Sequence, residues 1–141
     1  KRAGEGHIVN TSSLFGLLAS PTQGTYNSSK FAVRGFTEAL RQELDLEKCG
    51  VSATCVHPGG IRTNIEKGAR RAKASGEEES VFEGMAEKML TTPPEQCAAD
   101  ILAGVEAGKR RILTGNLSTT LYMLSRLMPD TYPTLIRALA K

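Results

Sequence analysis

Two short, β-branched apolar runs separated by a long amphipathic segment constrain the fold of this chain more than any other feature. The runs cover residues 6–11 and 51–57. From 26 to 48, apolar residues recur at spacings of three and four with charged residues between them, which indicates a helix. Because a crossover helix joins parallel strands, the sequence predicts an α/β protein with a parallel sheet.

A second helix and a third strand are predicted further along the chain. Thr92 is expected to be the N-cap, with Pro93 at the first helical position and Glu95 closing a capping box. Gly108 is expected to end this helix, and residues 111–114 form a short strand candidate. The buried face of the helix is predicted to consist of Ala98, Ile101, Leu102 and Val105.

Three side chains near the first strand and the first helix can carry out proton chemistry. Tyr26 and Lys30 are four residues apart and therefore share one face of the predicted helix. A neighbouring ammonium group favours the ionised form of a phenol, and a phenol tuned in this way can act as a general acid or base. Ser13 follows the first strand, and ligands of open α/β sheets bind beyond the carboxyl ends of strands. Its hydroxyl is therefore placed to hold a substrate oxygen.

These residues belong to longer motifs, which resemble the C-terminal half of a short-chain dehydrogenase/reductase. The resemblance is close over residues 6–65 and looser over residues 93–114. It implies the C-terminal half of a doubly wound, Rossmann-like parallel sheet. The matching segments are Ile-Val-Asn-Thr-Ser-Ser at 8–13, Tyr-Asn-Ser-Ser-Lys-Phe-Ala-Val at 26–33, Gly-Phe-Thr-Glu-Ala-Leu-Arg-Gln-Glu-Leu at 35–44 and Val-Ser-Ala-Thr-Cys-Val-His-Pro-Gly-Gly-Ile-Arg-Thr at 51–63.

The resemblance also implies an oxidoreductase that interconverts a carbonyl and a secondary alcohol with NAD or NADP. Tyr26 would be the proton donor or base, and Ser13 would hydrogen-bond the substrate oxygen. Lys30 would favour ionisation of Tyr26 and hydrogen-bond the nicotinamide ribose. Ser12, beside Ser13, is expected to be structural. The segment against the nicotinamide and the hydroxyl that contacts the cofactor would be supplied by Pro58, Gly59, Ile61 and Thr63.

The sequence lacks the glycine-rich strand–turn–helix unit that binds a dinucleotide pyrophosphate. In the family, that unit, the selector for the adenosine ribose and the catalytic asparagine belong to an N-terminal half. We therefore expect residues 1–141 to be a fragment of one domain, and the choice between NAD and NADP stays open. The alternative is a non-catalytic fragment or oligomerisation module that lacks the pyrophosphate site.

Four segments are expected within this single partial domain. Phe82, Met85 and Met89 have helical spacing and would turn an apolar lid face toward an apolar substrate, although a solvated helix pair would show the same pattern. The tail could be a substrate wall, a dimer contact, a membrane-surface helix or ordinary packing. The segments are a catalytic strand–helix–strand unit at 1–63, the lid at 64–91, a helix and last strand at 92–116, and a helical tail at 117–141.

Charge and hydropathy limit the partners that we expect. The net charge is only +3, and the basic clusters at 70–73 and 109–111 lack interleaved aromatic residues, so no nucleic-acid partner is predicted. No apolar run approaches the roughly 20 residues that a membrane-spanning helix needs, which makes a membrane partner unexpected. By resemblance, the helix at 26–48 is expected to form a homo-oligomer contact.

Histidine and cysteine usage indicates no metal site. His7 and His57 are isolated in the sequence, and no two cysteines form a C-x-x-C pair. The odd number of cysteines fits reduced thiols in a cytoplasmic protein. The three cysteines are Cys49, Cys55 and Cys97.

Overall fold

The computed structural model describes residues 4–65 and 89–139. Strand β1, a 3-10 turn (Leu14–Gly16) and helix α1 come first, followed by strand β2, helix α2, strand β3 and two C-terminal helices. Residues 66–88 of the predicted lid, which include Phe82 and Met85, lie outside the described residues. The element bounds are β1 Gly6–Thr11, α1 Gly24–Glu47, β2 Val51–Pro58, α2 Pro94–Glu106, β3 Arg111–Thr114, α3 Ser118–Leu127 and α4 Tyr132–Leu139.

The three strands form one parallel sheet in the order β1-β2-β3. The register pairs Ile8 with Ala53 and His57 with Leu113. All three strands therefore end at the same edge of the sheet. The prediction of an α/β fold with a parallel sheet is confirmed.

Neighbouring residues of β3 show that helices cover both faces of the sheet. Arg111 donates to the Glu38 carboxylate of α1. Ile112 packs against Gly104 of α2 so closely that a side chain at position 104 would collide with it. Adjacent residues of a strand point to opposite faces. Helices α1 and α2 therefore lie on opposite sides of the sheet, as a doubly wound fold requires.

Strand β1 is more exposed than a buried parallel strand. Ile8 and Val9 are 39% and 41% exposed, whereas residues 53–57 of β2 are fully buried. Within the described residues, β1 pairs with β2 alone. A short, β-branched apolar run is typical of a buried parallel strand, and β1 departs from that expectation because nothing among the described residues covers its other edge.

The start of α2 differs from the prediction. Pro93 is the N-cap and Pro94 takes the first helical position, without a side-chain capping bond. Thr92 is not the cap, because its hydroxyl accepts the backbone N–H of Asn116 at 2.9 Å. Its backbone also forms a bridge with Ile61. Thr92 therefore joins the loops after β2 and β3, so it is unavailable as a cap.

The buried face of α2 is also rotated from the predicted one. Cys97 and Gly104 are its buried residues, whereas Ala98 is exposed and Leu102 is 63% exposed. Gly104 is the point of closest approach to the sheet, and residues three or seven positions apart share its face. Ala98 and Leu102 fall to the side of that face, so the prediction that they are buried is wrong.

The C-terminal helix packs on the turn that follows β1. Leu14, Leu17 and Leu18 form a buried cluster with Ile136 of α4. This contact is ordinary core packing, one of the four interpretations given above for the tail at 117–141. It also places α4 beside the loop that carries Ser13.

Candidate functional site

The loop between β1 and α1, residues 12–20, is referred to below as the serine loop. Ser13 has an extended backbone (φ −164°, ψ 166°), and its Oγ accepts the N–H of Phe15 at 3.1 Å. A serine hydroxyl has one hydrogen to donate and two acceptor positions. Phe15 uses one acceptor position, and among the described residues the Ser13 hydroxyl donates no hydrogen bond, so its hydrogen is available to a ligand.

Tyr26 and Lys30 lie at the beginning of α1. The Lys30 Nζ is 5.6 Å from the centroid of the Tyr26 ring and donates to the Thr11 carbonyl oxygen at 3.2 Å. The rings of Tyr26 and Phe15 make an edge-to-face contact, and their centroids lie 6.2 Å apart. Tyr26 is 38% exposed. The site therefore contains an accessible phenol with an ammonium group fixed beside it.

The structure brings the three predicted catalytic residues to one end of the sheet. Lys30 reaches the last residue of β1, and Ser13 follows that strand by two positions. Phe15 connects the other two, because its N–H bonds Ser13 and its ring contacts Tyr26. A phenol, a hydroxyl group and a cation therefore lie at the same end of the sheet.

The predicted cofactor segment begins at the carboxyl end of β2, next to that of β1. Pro58 ends β2, and the N–H of Gly59 donates to the Thr114 carbonyl oxygen at 2.8 Å. A Cβ at Gly60 would overlap the carbonyl oxygen of Met89. The two glycines therefore allow the loops after β2 and β3 and the 89–92 segment to pack closely.

Ile61 and Thr63 follow these glycines at the same edge. Ile61 is half-buried and pairs with Thr92 through a parallel bridge. Thr63 is exposed, and its Oγ1 accepts the N–H of Ile65 at 3.5 Å. Among residues 4–65 and 89–139, the Thr63 hydroxyl donates no hydrogen bond.

Ser12 has the contacts of a structural residue. Its side chain is 3% exposed, and its Oγ donates to the Lys30 carbonyl oxygen at 2.8 Å. Its N–H donates to the Val56 carbonyl oxygen at 2.8 Å. Ser12 thus ties the serine loop to both α1 and β2, while the adjacent Ser13 keeps a free hydroxyl hydrogen.

Sequence reasoning missed the side chains of α1 that hold the serine loop. The amide nitrogen of Asn27 donates to the carbonyl oxygens of Phe15 and Leu18 at 3.2 and 3.0 Å. The Arg34 guanidinium donates to the Gly16 carbonyl oxygen at 3.5 Å. The signal available in the sequence was Asn27, a polar residue next to Tyr26 on a helix that must pack one face against the protein.

His57 is a second site neighbour that the sequence did not indicate. Its side chain is fully buried, and its Nδ1 lies 2.9 Å from the Ser13 carbonyl oxygen. A carbonyl only accepts, so Nδ1 carries the proton. Nε2 is buried without a hydrogen-bond partner among the described residues. Burial is the largest cause that lowers the pKa of His57 to about 4, with Arg111 and Arg34 contributing. His57 is therefore neutral at pH 7.

The burial of neutral His57 predicts a loss of stability in mild acid. The unfolded chain binds a proton on this residue near pH 6.5, whereas the folded chain binds it only near pH 4. Between these values the unfolded state binds more protons, so acidification should lower the free energy of unfolding by up to about 3 kcal/mol. Urea unfolding from pH 7 to pH 4 measures this loss.

The matched control for the acid effect is His57→Asn, which keeps a donor but does not titrate. The lowered pKa values of Glu38 and Asp100 also reduce the free energy of unfolding as the pH falls, but this loss occurs in both wild type and His57→Asn. We expect a smaller acid loss in the variant. Parallel pH curves for the two proteins would contradict the assignment.

A family model described as short chain dehydrogenase matches residues 1–74 of the chain, which contain Ser13, Tyr26, Lys30 and the 58–63 segment. The chain belongs to the short-chain dehydrogenase family. The resemblance drawn from the sequence motifs is therefore confirmed.

Relatives of this short-chain dehydrogenase bear the name oxidoreductase. SadH of Mycobacterium tuberculosis is 45% identical over 137 residues, which cover 96% of this chain and 49% of SadH. YxnA of Bacillus subtilis is 36% identical over 124 residues, covering 88% of this chain and 33% of YxnA. The chain thus spans about half the length of SadH and a third of YxnA.

Solved structures of short-chain dehydrogenases have the same fold. One from Burkholderia phymatum, in complex with NAD, has a TM-score of 0.76 and 24% identity, covering 92% of this chain and 50% of that one. One from Burkholderia cenocepacia, in complex with NADP, has a TM-score of 0.68 and 20% identity, covering 92% and 46%. The predicted Rossmann-like architecture is confirmed.

The part of this short-chain dehydrogenase that the structure describes contains no cluster of three or more His, Cys, Asp or Glu side chains that could hold a metal ion. Its cysteines are free thiols, two buried and one half-buried. None of the helices within residues 4–65 and 89–139 combines the length and apolar character of a membrane span.

Proposed function

We propose that the protein is an NAD- or NADP-dependent oxidoreductase that interconverts a carbonyl compound and a secondary alcohol. The observation that carries this proposal is the Lys30 ammonium, which is held by the Thr11 carbonyl oxygen 5.6 Å from the Tyr26 ring centroid. An accessible phenol can give a proton to a carbonyl oxygen, and the ammonium fixed beside it offers a positive charge and hydrogen-bond donors to a bound ligand.

The roles of the site residues follow from their donor and acceptor groups. In reduction, Tyr26 gives its phenolic proton to the carbonyl oxygen as negative charge develops there. Ser13 donates its free hydroxyl hydrogen to the same oxygen, which stabilises that charge. In oxidation, the Tyr26 phenolate takes the proton from the alcohol. Lys30 supplies the positive charge beside the Tyr26 ring in both directions.

The residues near the site fit the nicotinamide end of a dinucleotide. When bound, the nicotinamide supplies or accepts a hydride. Lys30 and the hydroxyls of Tyr26 and Thr63 would bind its ribose and amide, and Pro58, Gly59 and Ile61 would lie against its ring. The accessible Tyr26 and the uncommitted Thr63 hydroxyl hydrogen support this assignment. The complexes of NAD and NADP with similar folds support the choice of cofactor.

Three further features extend the proposal. The exposed Phe31 and Phe36 on α1 support a homo-oligomer contact through that helix. The half-buried Phe15 ring beside Tyr26 supports an apolar substrate. Free thiols at all three cysteines support a cytoplasmic location.

Transfer of a labelled hydride tests the reaction directly. The whole protein is incubated with NADH or NADPH carrying deuterium at one face of nicotinamide C4, together with a panel of apolar ketones and aldehydes. We expect deuterium on the carbinol carbon of the product from one face of one preferred cofactor. Mass spectrometry of the alcohol reads the label.

Cofactor titration distinguishes the two functional hypotheses. Saturable quenching of NADH or NADPH fluorescence without any transfer of label would refute the reaction but keep the cofactor site. If a folded whole protein binds neither cofactor, the non-catalytic oligomerisation module becomes the better description.

A further inference from the structure

We propose that His57 is a positioning residue for Ser13: its Nδ1–H holds the Ser13 carbonyl oxygen so that the serine hydroxyl points to the substrate oxygen that Tyr26 protonates. This inference rests on the proposed function and adds a residue from β2 to the site. His57 itself touches neither substrate nor cofactor, because it is fully buried.

The bond from His57 is the link between Ser13 and the rest of the fold. The other two bonds of Ser13 are local: its Oγ accepts from Phe15, and its carbonyl oxygen accepts the N–H of Gly16 at 2.9 Å. Within residues 4–65 and 89–139, the 2.9 Å bond from His57 is the one hydrogen bond to Ser13 from outside the serine loop. The imidazole therefore adds a direct bond from β2 to Ser13 itself, beside the bonds by which Ser12 holds the start of the loop.

The chemistry of the buried imidazole supports a positioning role over simple filling of space. Nε2 is buried and has no partner among the described residues, so the ring bears an unmatched acceptor. Leaving a buried acceptor unpaired costs free energy that an apolar side chain of similar size would avoid. The Nδ1 bond to Ser13 is what an apolar side chain could not supply.

Strand β2 also connects the two halves of the proposed site. His57 is followed directly by Pro58 and Gly59, the segment assigned to the nicotinamide. Its side chain reaches back to Ser13, which is assigned to the substrate oxygen. His57 thus links the proposed substrate donor directly to the proposed cofactor segment.

The decisive experiment is a double-mutant cycle in the whole protein. His57→Leu removes the donor, and it is made both in the wild-type background and in Ser13→Ala. We expect His57→Leu to lower kcat about 30-fold when Ser13 is present, because small misplacements of a positioned group are costly. When Ser13 is already alanine, the further loss should be below about twofold, since the two residues act as a unit.

Two amide variants show whether a loss of kcat comes from the missing hydrogen bond or only from impaired folding. His57→Asn can place its Nδ2 donor where the imidazole Nδ1 lies, and it should keep kcat within about threefold of wild type. His57→Gln has the same donor group one methylene further out and should behave like His57→Leu. Equal losses in the two Ser13 backgrounds, or equal activity of His57→Asn and His57→Gln, would overturn the proposal.

A spectroscopic readout separates this inference from the proposed reaction. The Ser13 carbonyl carbon, labelled with ¹³C, should have the same chemical shift in wild type and His57→Asn and an upfield shift in His57→Leu. If that pattern appears in a protein without carbonyl reductase activity, the reaction is wrong and the positioning contact stands. If the shift is the same in all three proteins, the positioning role is wrong whatever the activity.

Discussion

Tyr26→Phe is expected to lower kcat for carbonyl reduction about 1000-fold, because the variant loses the phenolic proton that neutralises the developing oxyanion. The change removes one oxygen atom and leaves the aromatic ring, which can still pack edge-to-face against Phe15. Lys30 also keeps its bond to the Thr11 carbonyl oxygen. The fold should therefore survive. The reduced cofactor should still bind, and its dissociation constant should rise only by the loss of the Tyr26 hydroxyl contact, since Lys30 and Thr63 keep theirs. Steady-state kinetics and a fluorescence titration measure the two quantities.

Tyr122→Phe is the matched control for the loss of a tyrosine hydroxyl. Tyr122 lies in α3, and its hydroxyl accepts a hydrogen bond from Arg111 at 2.5 Å. We expect this variant to keep nearly the wild-type kcat. If Tyr26→Phe keeps more than a tenth of the wild-type kcat, or loses no more than Tyr122→Phe does, Tyr26 is not the proton donor.

Gly16→Ala is expected to destabilise the fold by about 2 to 3 kcal/mol, through overpacking of a buried turn. A Cβ at this position would overlap the Ser12 Oγ and lie 2.8 Å from the Lys30 carbonyl oxygen. Those two groups are hydrogen-bonded to each other, so the added methyl group pushes apart the contact that joins the serine loop to α1. We expect kcat to fall as well, because Ser13 moves with the loop. Urea unfolding monitored by circular dichroism gives the change in stability.

Gly35→Ala provides the comparison for Gly16→Ala. Gly35 lies within α1, and a Cβ there would meet no atom within 4 Å. Alanine is a better helix former than glycine, so a gain of about 0.5 to 1 kcal/mol is expected. Equal effects of the two substitutions would show that close packing at Gly16 is unimportant.

The elements that local pattern specifies were predicted well. The spans of β1 and β3 agree with the structure residue for residue, and those of α1 and β2 within two residues. Periodicity and flanking glycine and proline residues are local properties, so a sequence displays them directly. The same holds for Tyr26 and Lys30, whose shared helix face follows from their spacing alone.

The features that failed prediction depend on partners remote in sequence. Thr92 is a good N-cap by composition, but Asn116, from another loop, takes its hydroxyl. The buried face of α2 is set by the contact between Gly104 and Ile112 rather than by hydropathy. His57 looked isolated because its partner, Ser13, lies 44 residues earlier. Such pairings exist only once the chain has folded.

The serine loop has a consequence for the order in which the protein folds. The Tyr132 hydroxyl accepts the N–H of Ala19 across 113 residues of sequence, and Ile136 packs on the leucines of the same loop. Contacts that close long stretches of chain form slowly, because the entropy of closure is lost before the contact is gained. We therefore expect the last helix to dock on the serine loop after the local contacts of that loop have formed. Refolding that stalls before this docking would yield near-native secondary structure without the packing of Ile136 on the leucines of the serine loop.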